Sequence, residues 1–516
     1  MSDTSFDAIV IGSGMGGLTC ASLLAQLTHR KVLLLERHTK LGGYTHSFDR
    51  EGRFRWDVGL HYVGAMAPGT MTRKVFDRVT GGQVRWQPLP DPFQYFVYPG
   101  VKFPVPVGGT AYGAALKERF PKEAAAIDRY LRDIRKAASW AGTQFMLSQL
   151  LPPAARALEW LSPRRRKLAW GTTGAYLRGM TNDPLLRALL DSQWGDYGLP
   201  PGESAFYVHA MIVGHYLNGA WHPVGGAQTI SDAAVNVLTQ HGGEARSGWK
   251  VTKILVEGGA AAGVEAERES NGQHLREVFR APLIISDAGA RNTYLDLLPA
   301  DVTIPFRQRL REAPMGCSVV ALFVGFKESP AKLGIHGENY WIYDRLDHDE
   351  TWALRNRIVN QEVHACFAAF GSLNDSTVTA HTGQILAFLD YEAFRPWMSE
   401  AGHAGYADFK RGVTAALIAF VDRHLPGYAD LVEFADLATP LTYEHFSSHH
   451  FGQVYGIPAT PVRHTYPWTS VKTPVKGLYL TGADTAGNGI TGAMMAGMTT
   501  LAAIEGISIF PRTVRT

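Results

Sequence analysis

The stretch Phe6-Asp7-Ala8-Ile9-Val10-Ile11-Gly12-Ser13-Gly14-Met15-Gly16-Gly17 runs a short β-branched segment into a cluster of glycines, and Leu18 to Leu27 continues in helix-forming residues. This pattern predicts a strand, a tight turn and a helix. In such a unit Gly12 lets the chain turn, Gly14 lets backbone approach a pyrophosphate and Gly17 lets the helix pack close to the strand. The amino end of the helix then faces the phosphates. A lone Gly-x-Gly-x-x-Gly is weak, but here a second strand, Lys31 to Leu35, follows and ends in Glu36. Glu36 lies 24 residues after Gly12, near the spacing at which an acid takes the ribose hydroxyls. A carboxylate there repels a 2′-phosphate, which disfavours NADP. A ligand-free glycine turn is the weaker account once strand, helix and acid occur together.

Further motifs separate FAD from NAD. After Glu36 comes Arg37-His38-Thr39-Lys40-Leu41-Gly42-Gly43-Tyr44-Thr45, whose glycine pair resembles the second phosphate-contacting turn of flavoproteins in the glutathione-reductase and amine-oxidase superfamily. Near the other end, Gly477 to Asp484 reads as a strand closed by a Gly/Asp turn, and Gly487-Asn488-Gly489-Ile490-Thr491-Gly492-Ala493 opens a small-residue helix. This resembles the carboxy-terminal flavin motif of the same superfamily. Asp484 suits the ribityl or phosphate portion, and a helix starting near Ile490 aims its positive end at the flavin N1–C2 carbonyl. Between them, Trp249 to Val256, a Gly258-Gly259 turn and a return through Val264-Glu265-Ala266 predict a hairpin. The strand Leu283 to Ser286 follows, leading into Asp287-Ala288-Gly289. No second dinucleotide turn is visible, so the electron partner stays open.

Composition excludes several classes. Fifty Lys and Arg against 47 Asp and Glu leave a formal charge of +3, too balanced for a nucleic-acid binder. Three cysteines, Cys20, Cys317 and Cys366, lie far apart, which argues against iron–sulfur, cysteine-rich zinc and dithiol sites. Charged residues are 19% and hydrophobic residues 46% of 516, as expected for a chain that buries a large core in more than one domain. No signal-like segment or bilayer-length apolar run is evident, and the expected location is cytoplasmic, peripheral to the membrane.

With these pieces placed, the chain resembles the phytoene desaturase, carotenoid isomerase and retinol saturase family of FAD-dependent oxidoreductases, on its saturase side. The resembling segments are Gly12 to Gly17, Gly42 to Phe48, Asp57-Val58-Gly59-Leu60-His61-Tyr62-Val63-Gly64, Trp221 to Gly226, Ser286 to Gly289 with Asn292-Thr293-Tyr294, and Leu480 to Gly492. The family's animal saturases carry an amino-terminal targeting or anchoring segment, whereas the first strand here begins at Phe6. Ser447-Ser448-His449-His450-Phe451-Gly452-Gln453 also departs from the family pattern.

The resemblance implies an α/β fold: a Rossmann-type FAD-binding domain from residues 1–85, 215–300 and 450–516, with an inserted α+β substrate region from 86–214 and 301–449, helical near 110–214. It implies FAD held by Gly12, Ser13, Gly14, Met15, Gly16, Gly17, Glu36, Arg37, Gly42, Gly43, Tyr44, Thr45, Val251, Asp287, Gly482, Asp484, Gly489, Ile490 and Ala493. In the superfamily Val251 would clamp the adenine through its backbone. The implied chemistry is desaturation or saturation of a carbon–carbon bond in a carotenoid, retinoid or fatty-acyl chain, with cis–trans isomerisation as an alternative.

Either redox direction moves a proton opposite the hydride. The candidates are His61 and Tyr62, expected on a strand entering the flavin domain, and Tyr443 and His449 near the chain's return to it. The plainer reading makes His61 a core histidine and Tyr62 a packing residue. His445, His449 and His450 lack carboxylate or cysteine support for a metal, and none is expected. Residues 140–170 combine Trp140, Phe145, Met146, Leu147, Leu150, Leu151, Leu158, Trp160 and Leu161 with Arg156, Arg164, Arg165, Arg166 and Lys167, as a membrane-docking segment would. The competing functions are a flavin amine oxidase, whose aromatic cage and lysine are not identifiable, and a non-enzymatic escort protein of the same fold, which the intact flavin motifs oppose.

Overall fold

Ala8–Ile11 lies at the centre of a parallel sheet, paired on one side with Val32–Leu35 and on the other with Ile284–Ser286. Glu244–Arg246 and Leu478–Leu480 complete five strands. The two strands that open the chain are buried at every position, which requires cover on both faces. Helix Met15–Thr28 supplies part of that cover, packed against Gln228–Gln240 and Gly489–Glu505. A meander of Lys250–Glu257, Ala260–Ser270 and Gln273–Arg280 lies beside the sheet and turns through Gly258 and Gly259, both at positive φ, as the expected hairpin requires. This computed structural model describes residues 5–270, 272–398 and 400–514.

A second sheet of seven strands runs in the order Val432–Ala438, Ser318–Phe326, His381–Leu389, Ala365–Ala369, Asn339–Tyr343, Gln94–Tyr98, Val101–Val105. All its pairs are antiparallel except that of Asn339–Tyr343 with Gln94–Tyr98. Ser318–Phe326 is buried throughout. Between residues 109 and 216 the chain is mostly helical, dominated by the 27-residue helix Ala124–Leu150. Ile127, Tyr130 and Ile134 of that helix share a hydrophobic core with Trp194, Trp341 and Phe367. The helical insert and the large sheet are therefore consolidated together, giving the expected α/β fold with an α+β addition.

Two expectations are corrected. His61 and Tyr62 are not on a strand. Residues 58–62 form an irregular connection between Phe54–Asp57 and the two-residue strand Val63–Gly64. The chain here threads between neighbours: a Cβ on Gly59 would lie 2.9 Å from the Tyr44 side chain, and one on Gly64 would lie 2.2 Å from the His215 carbonyl oxygen. Nor is 140–170 one exposed apolar face, because Trp140, Ala141 and Ala169 pack in a small core of their own. What stands exposed is Leu151, Trp160 and Leu161, at 54%, 80% and 70%, beside the exposed Arg164, Arg165 and Arg166. Among the described residues no helix is long and apolar enough to cross a membrane.

Candidate active site

A cavity of about 1040 Å³ is lined at one end by the glycine turn and at the other by aromatic side chains of the seven-stranded sheet. At the first end Gly12 turns at φ +93, and a Cβ on Gly17 would lie 2.2 Å from the Gly12 carbonyl oxygen. Strand and helix are thus in backbone contact, and only glycine fits. Gly14, which precedes helix Met15–Thr28, offers no side-chain cap; the Gly17 amide goes to Asp287, and the amides of Met15 and Gly16 are left for a ligand. Glu36 reaches back to the turn: its Oε2 accepts from Ser13 N at 2.9 Å and Ser13 Oγ at 2.6 Å, and its Oε1 accepts from His38 N at 2.8 Å. Ser13 Oγ also accepts from Gly42 N at 2.9 Å, which couples the two glycine turns. Helix Gly489–Glu505 likewise begins without a side-chain cap, and Gly489, Ile490 and Ala493 line the cavity. A glycine cradle and two uncapped helix starts fit a dinucleotide that carries a ring system at its far end.

Asp287 is wedged behind the turn. A Cβ on Gly14 would come 2.5 Å from its Oδ2, and one on Gly482 2.2 Å from its Oδ1. Burial pushes its carboxyl up to about 8, against hydrogen bonds from the Gly17 and Gly14 amides. Asp484 also lines the cavity, but both its oxygens are in use: Oδ2 accepts from Ala290 N at 2.8 Å and Oδ1 from Ile457 N at 2.9 Å. It ties two distant segments, at Ala290 and Ile457, to the turn at Gly482 to Asp484, a role its position in sequence did not reveal.

At the far end Phe323, Trp341, Phe367, Leu386 and Phe388 form a chamber, with Tyr443, Val454 and Tyr455 in the wall. His61 stands in the same wall, its ring centroid 5.3 Å from that of Phe367, and burial pulls its imidazole down to about 4. It is neutral at ordinary pH. Burial also lowers His449, whose Nδ1 lies 3.2 Å from the Gln453 carbonyl oxygen, and raises the Tyr443 phenol far above its ordinary value. His450 pairs with Asp296, Nε2 to Oδ2 at 2.6 Å, and both also line the cavity.

Seventeen of the nineteen residues read as cofactor-binding line the cavity; Gly16 and Gly17 are the exceptions and pack behind it. Of the acid/base candidates, His61, Tyr443 and His449 line it and Tyr62 does not. Tyr62 lies behind the wall, its ring 4.5 Å from Tyr216, and donates its hydroxyl to Asp196 Oδ2 at 2.9 Å. Asp196 is the wall residue the motifs missed. Its only sequence signal is the turn-like Gly195-Asp196-Tyr197-Gly198 before a Pro-Pro pair, which by itself marks a loop.

Residues 10–79 match the NAD(P)-binding Rossmann-like domain family. Over 96% of its length the chain is 33% identical to the all-trans-retinol 13,14-reductase of Danio rerio, spanning 85% of that protein. It is 24% identical to prolycopene isomerase 1, chloroplastic, of an Oncidium hybrid cultivar, over 96% of this chain and 82% of that one. Among solved structures, a putrescine oxidase triple mutant aligns with a TM-score of 0.65 at 15% identity, over 98% of this chain and 99% of that chain. That last likeness is one of fold.

Proposed function

We infer, from the premise that the chain belongs to the all-trans-retinol 13,14-reductase family, that it is an FAD-dependent oxidoreductase that saturates a carbon–carbon double bond in a long lipophilic polyene. The observation that carries this reading is the single cavity joining a dinucleotide cradle to an aromatic chamber. Its volume of about 1040 Å³ is at the top of the range of roughly 300–1,000 Å³ usual for one ligand, which suits a cofactor and a chain-like substrate end to end.

The chain's own residues divide the work. Gly12, Gly14 and the start of helix Met15–Thr28 would hold the pyrophosphate, Glu36 the adenosine ribose, and the turn at Gly489 and Ile490 the ring system. When bound, a flavin supplies a two-electron carrier able to give hydride to carbon. Phe323, Trp341, Phe367 and Phe388 would orient the polyene and keep water from it. His61 and Tyr443 would shape the wall, since neither holds a proton it can release near neutral pH. The exposed Leu151, Trp160 and Leu161 beside Arg164 to Arg166 support peripheral contact with an anionic bilayer, from which a greasy substrate would be drawn.

Purified protein is expected to be yellow and to bleach with dithionite. Its reduced form should convert all-trans-retinol to a product two hydrogens heavier by mass. A colourless protein that cannot be reconstituted with FAD overturns the reading. A product of altered retention and unchanged mass would favour isomerisation, the activity that the prolycopene isomerase likeness makes the second reading.

A further inference from the structure

Asp196 ends the short turn Trp194–Asp196 and lines the chamber. Its Oδ2 accepts from Tyr62 Oη at 2.9 Å and from Gln193 Nε2 at 3.3 Å. Among the described residues nothing donates to Oδ1, and no Lys, Arg or His forms an ion pair with the carboxyl. The titratable groups that feel its charge are phenols from four separate segments, Tyr62, Tyr216, Tyr343 and Tyr455, each raised above its ordinary value by burial first. With no cation to hold it ionised, burial pushes the Asp196 carboxyl up to about 7, against the hydrogen bonds from Tyr62 and Gln193.

The turn is held in place from both sides. Trp194 Nε1 donates to His348 Nδ1 at 3.1 Å. Asn488, which precedes helix Gly489–Glu505, donates from Nδ2 to the Tyr197 carbonyl at 3.3 Å. A Cβ on Gly195 would lie 2.4 Å from the Trp341 ring and 2.9 Å from that of Phe388. Asp196 is therefore wedged between the chamber aromatics and the start of the helix expected to face the flavin ring.

We propose that Asp196 is the proton donor of the reaction, with Tyr62 and Gln193 as positioning residues that occupy Oδ2 and leave the acidic proton on Oδ1. The proposal rests on the saturase reading above. As the double bond breaks, its π pair forms a C–H bond to the Asp196 proton. The second C–H bond would take its hydride from a reduced flavin, which supplies both electrons and would be left oxidised. Asp196 is left as a carboxylate and regains its proton from water after product leaves. His61, in the same wall, has no proton to give at neutral pH, and the wall phenols hold theirs too tightly.

Two measurements test this. Infrared difference spectra of the purified protein, without substrate, should show two protonated-carboxyl carbonyl components, one that fades as pH rises through about 7 and is missing in Asp196→Asn, and one from Asp287 that fades through about 8 and remains in that variant. In single-turnover reduction of all-trans-retinol by the dithionite-reduced protein, Asp196→Asn should slow the rate by about 100- to 10,000-fold. Flavin content and quenching of tryptophan fluorescence by retinol should stay as in wild type, which excludes misfolding. Asp196→Glu should recover part of the rate, and Tyr62→Phe should move the pH midpoint. Persistence in Asp196→Asn of the component that titrates through about 7, or an Asp196→Asn rate within about threefold of wild type, overturns the assignment. A flavin-loaded wild type that shows the titrating band yet reduces no polyene overturns the saturase reading instead.

Discussion

At the dinucleotide end of the cavity the decisive contacts are between backbone atoms: Gly17 against the Gly12 carbonyl, and Gly43 against Gly14. At the chamber end they are between side chains that arrive from far apart, such as Trp341 with Phe367 at 4.6 Å and Trp194 with Phe388 at 5.2 Å. The first kind of site tolerates almost no added volume. The second can be trimmed, because removing a ring leaves the backbone that carries it in place. Binding of the cofactor should therefore fail at single atoms, whereas recognition of the substrate should fail by degrees.

The largest effect tests the first half of that contrast. Gly17→Val puts carbon where the Gly12 carbonyl stands, and should abolish flavin absorbance and cost at least about 1–3 kcal/mol of stability, read by thermal melting. A yellow, stable variant would break the contrast at once. Next, reversing Arg164, Arg165 and Arg166 to Glu should cut sedimentation with acidic liposomes by roughly 100-fold, at about 1 kcal/mol per basic residue, with flavin content unchanged. Unchanged sedimentation would detach the helical insert, which shares its core with the chamber, from any role at a lipid surface. Third, Phe388→Ala should weaken retinol binding by about tenfold, from loss of roughly 1.5 kcal/mol or more of apolar contact, while flavin absorbance stays whole. Loss of flavin there would show that the two ends are not separable.

The smallest effect is a slope. Asp196 and Asp287 hold their protons to about 7 and about 8 in the folded chain, above the ordinary carboxyl value near 4. Between pH 4 and these values the folded state binds more protons than the unfolded one, so each group makes stability fall as pH rises, and adds no further slope above its folded value. Denaturant melts of Asp196→Asn should show a shallower decline than wild type between pH 4 and 7. An identical slope would place Asp196 in a more water-like setting than the chamber wall allows.

Much of the first end was legible because its signals are local. A glycine turn, the acid 24 residues on, the second glycine pair and the small-residue helix each sit in a short stretch, and each reflects a backbone demand that only certain residues meet. The chamber was not legible in this way. His61 and Tyr62 stood out through a family segment, yet side by side in sequence they face different surroundings: one lines the cavity and the other supports Asp196 from behind. Trp140, read as part of a membrane-docking segment, is interior because it lies on the inward face that helix Ala124–Leu150 carries from Ile127 to Gln144.

The sequence by itself determined the fold class and a dinucleotide cradle on glycine turns, since steric limits on φ and on backbone approach act within a few residues. Only the tertiary structure decided which carboxyl stands in the substrate wall. The state of Asp196 depends on Tyr62, Gln193 and Tyr216 closing around it without a cation. Desolvation is a property of the whole surroundings, and no short run of residues encodes it.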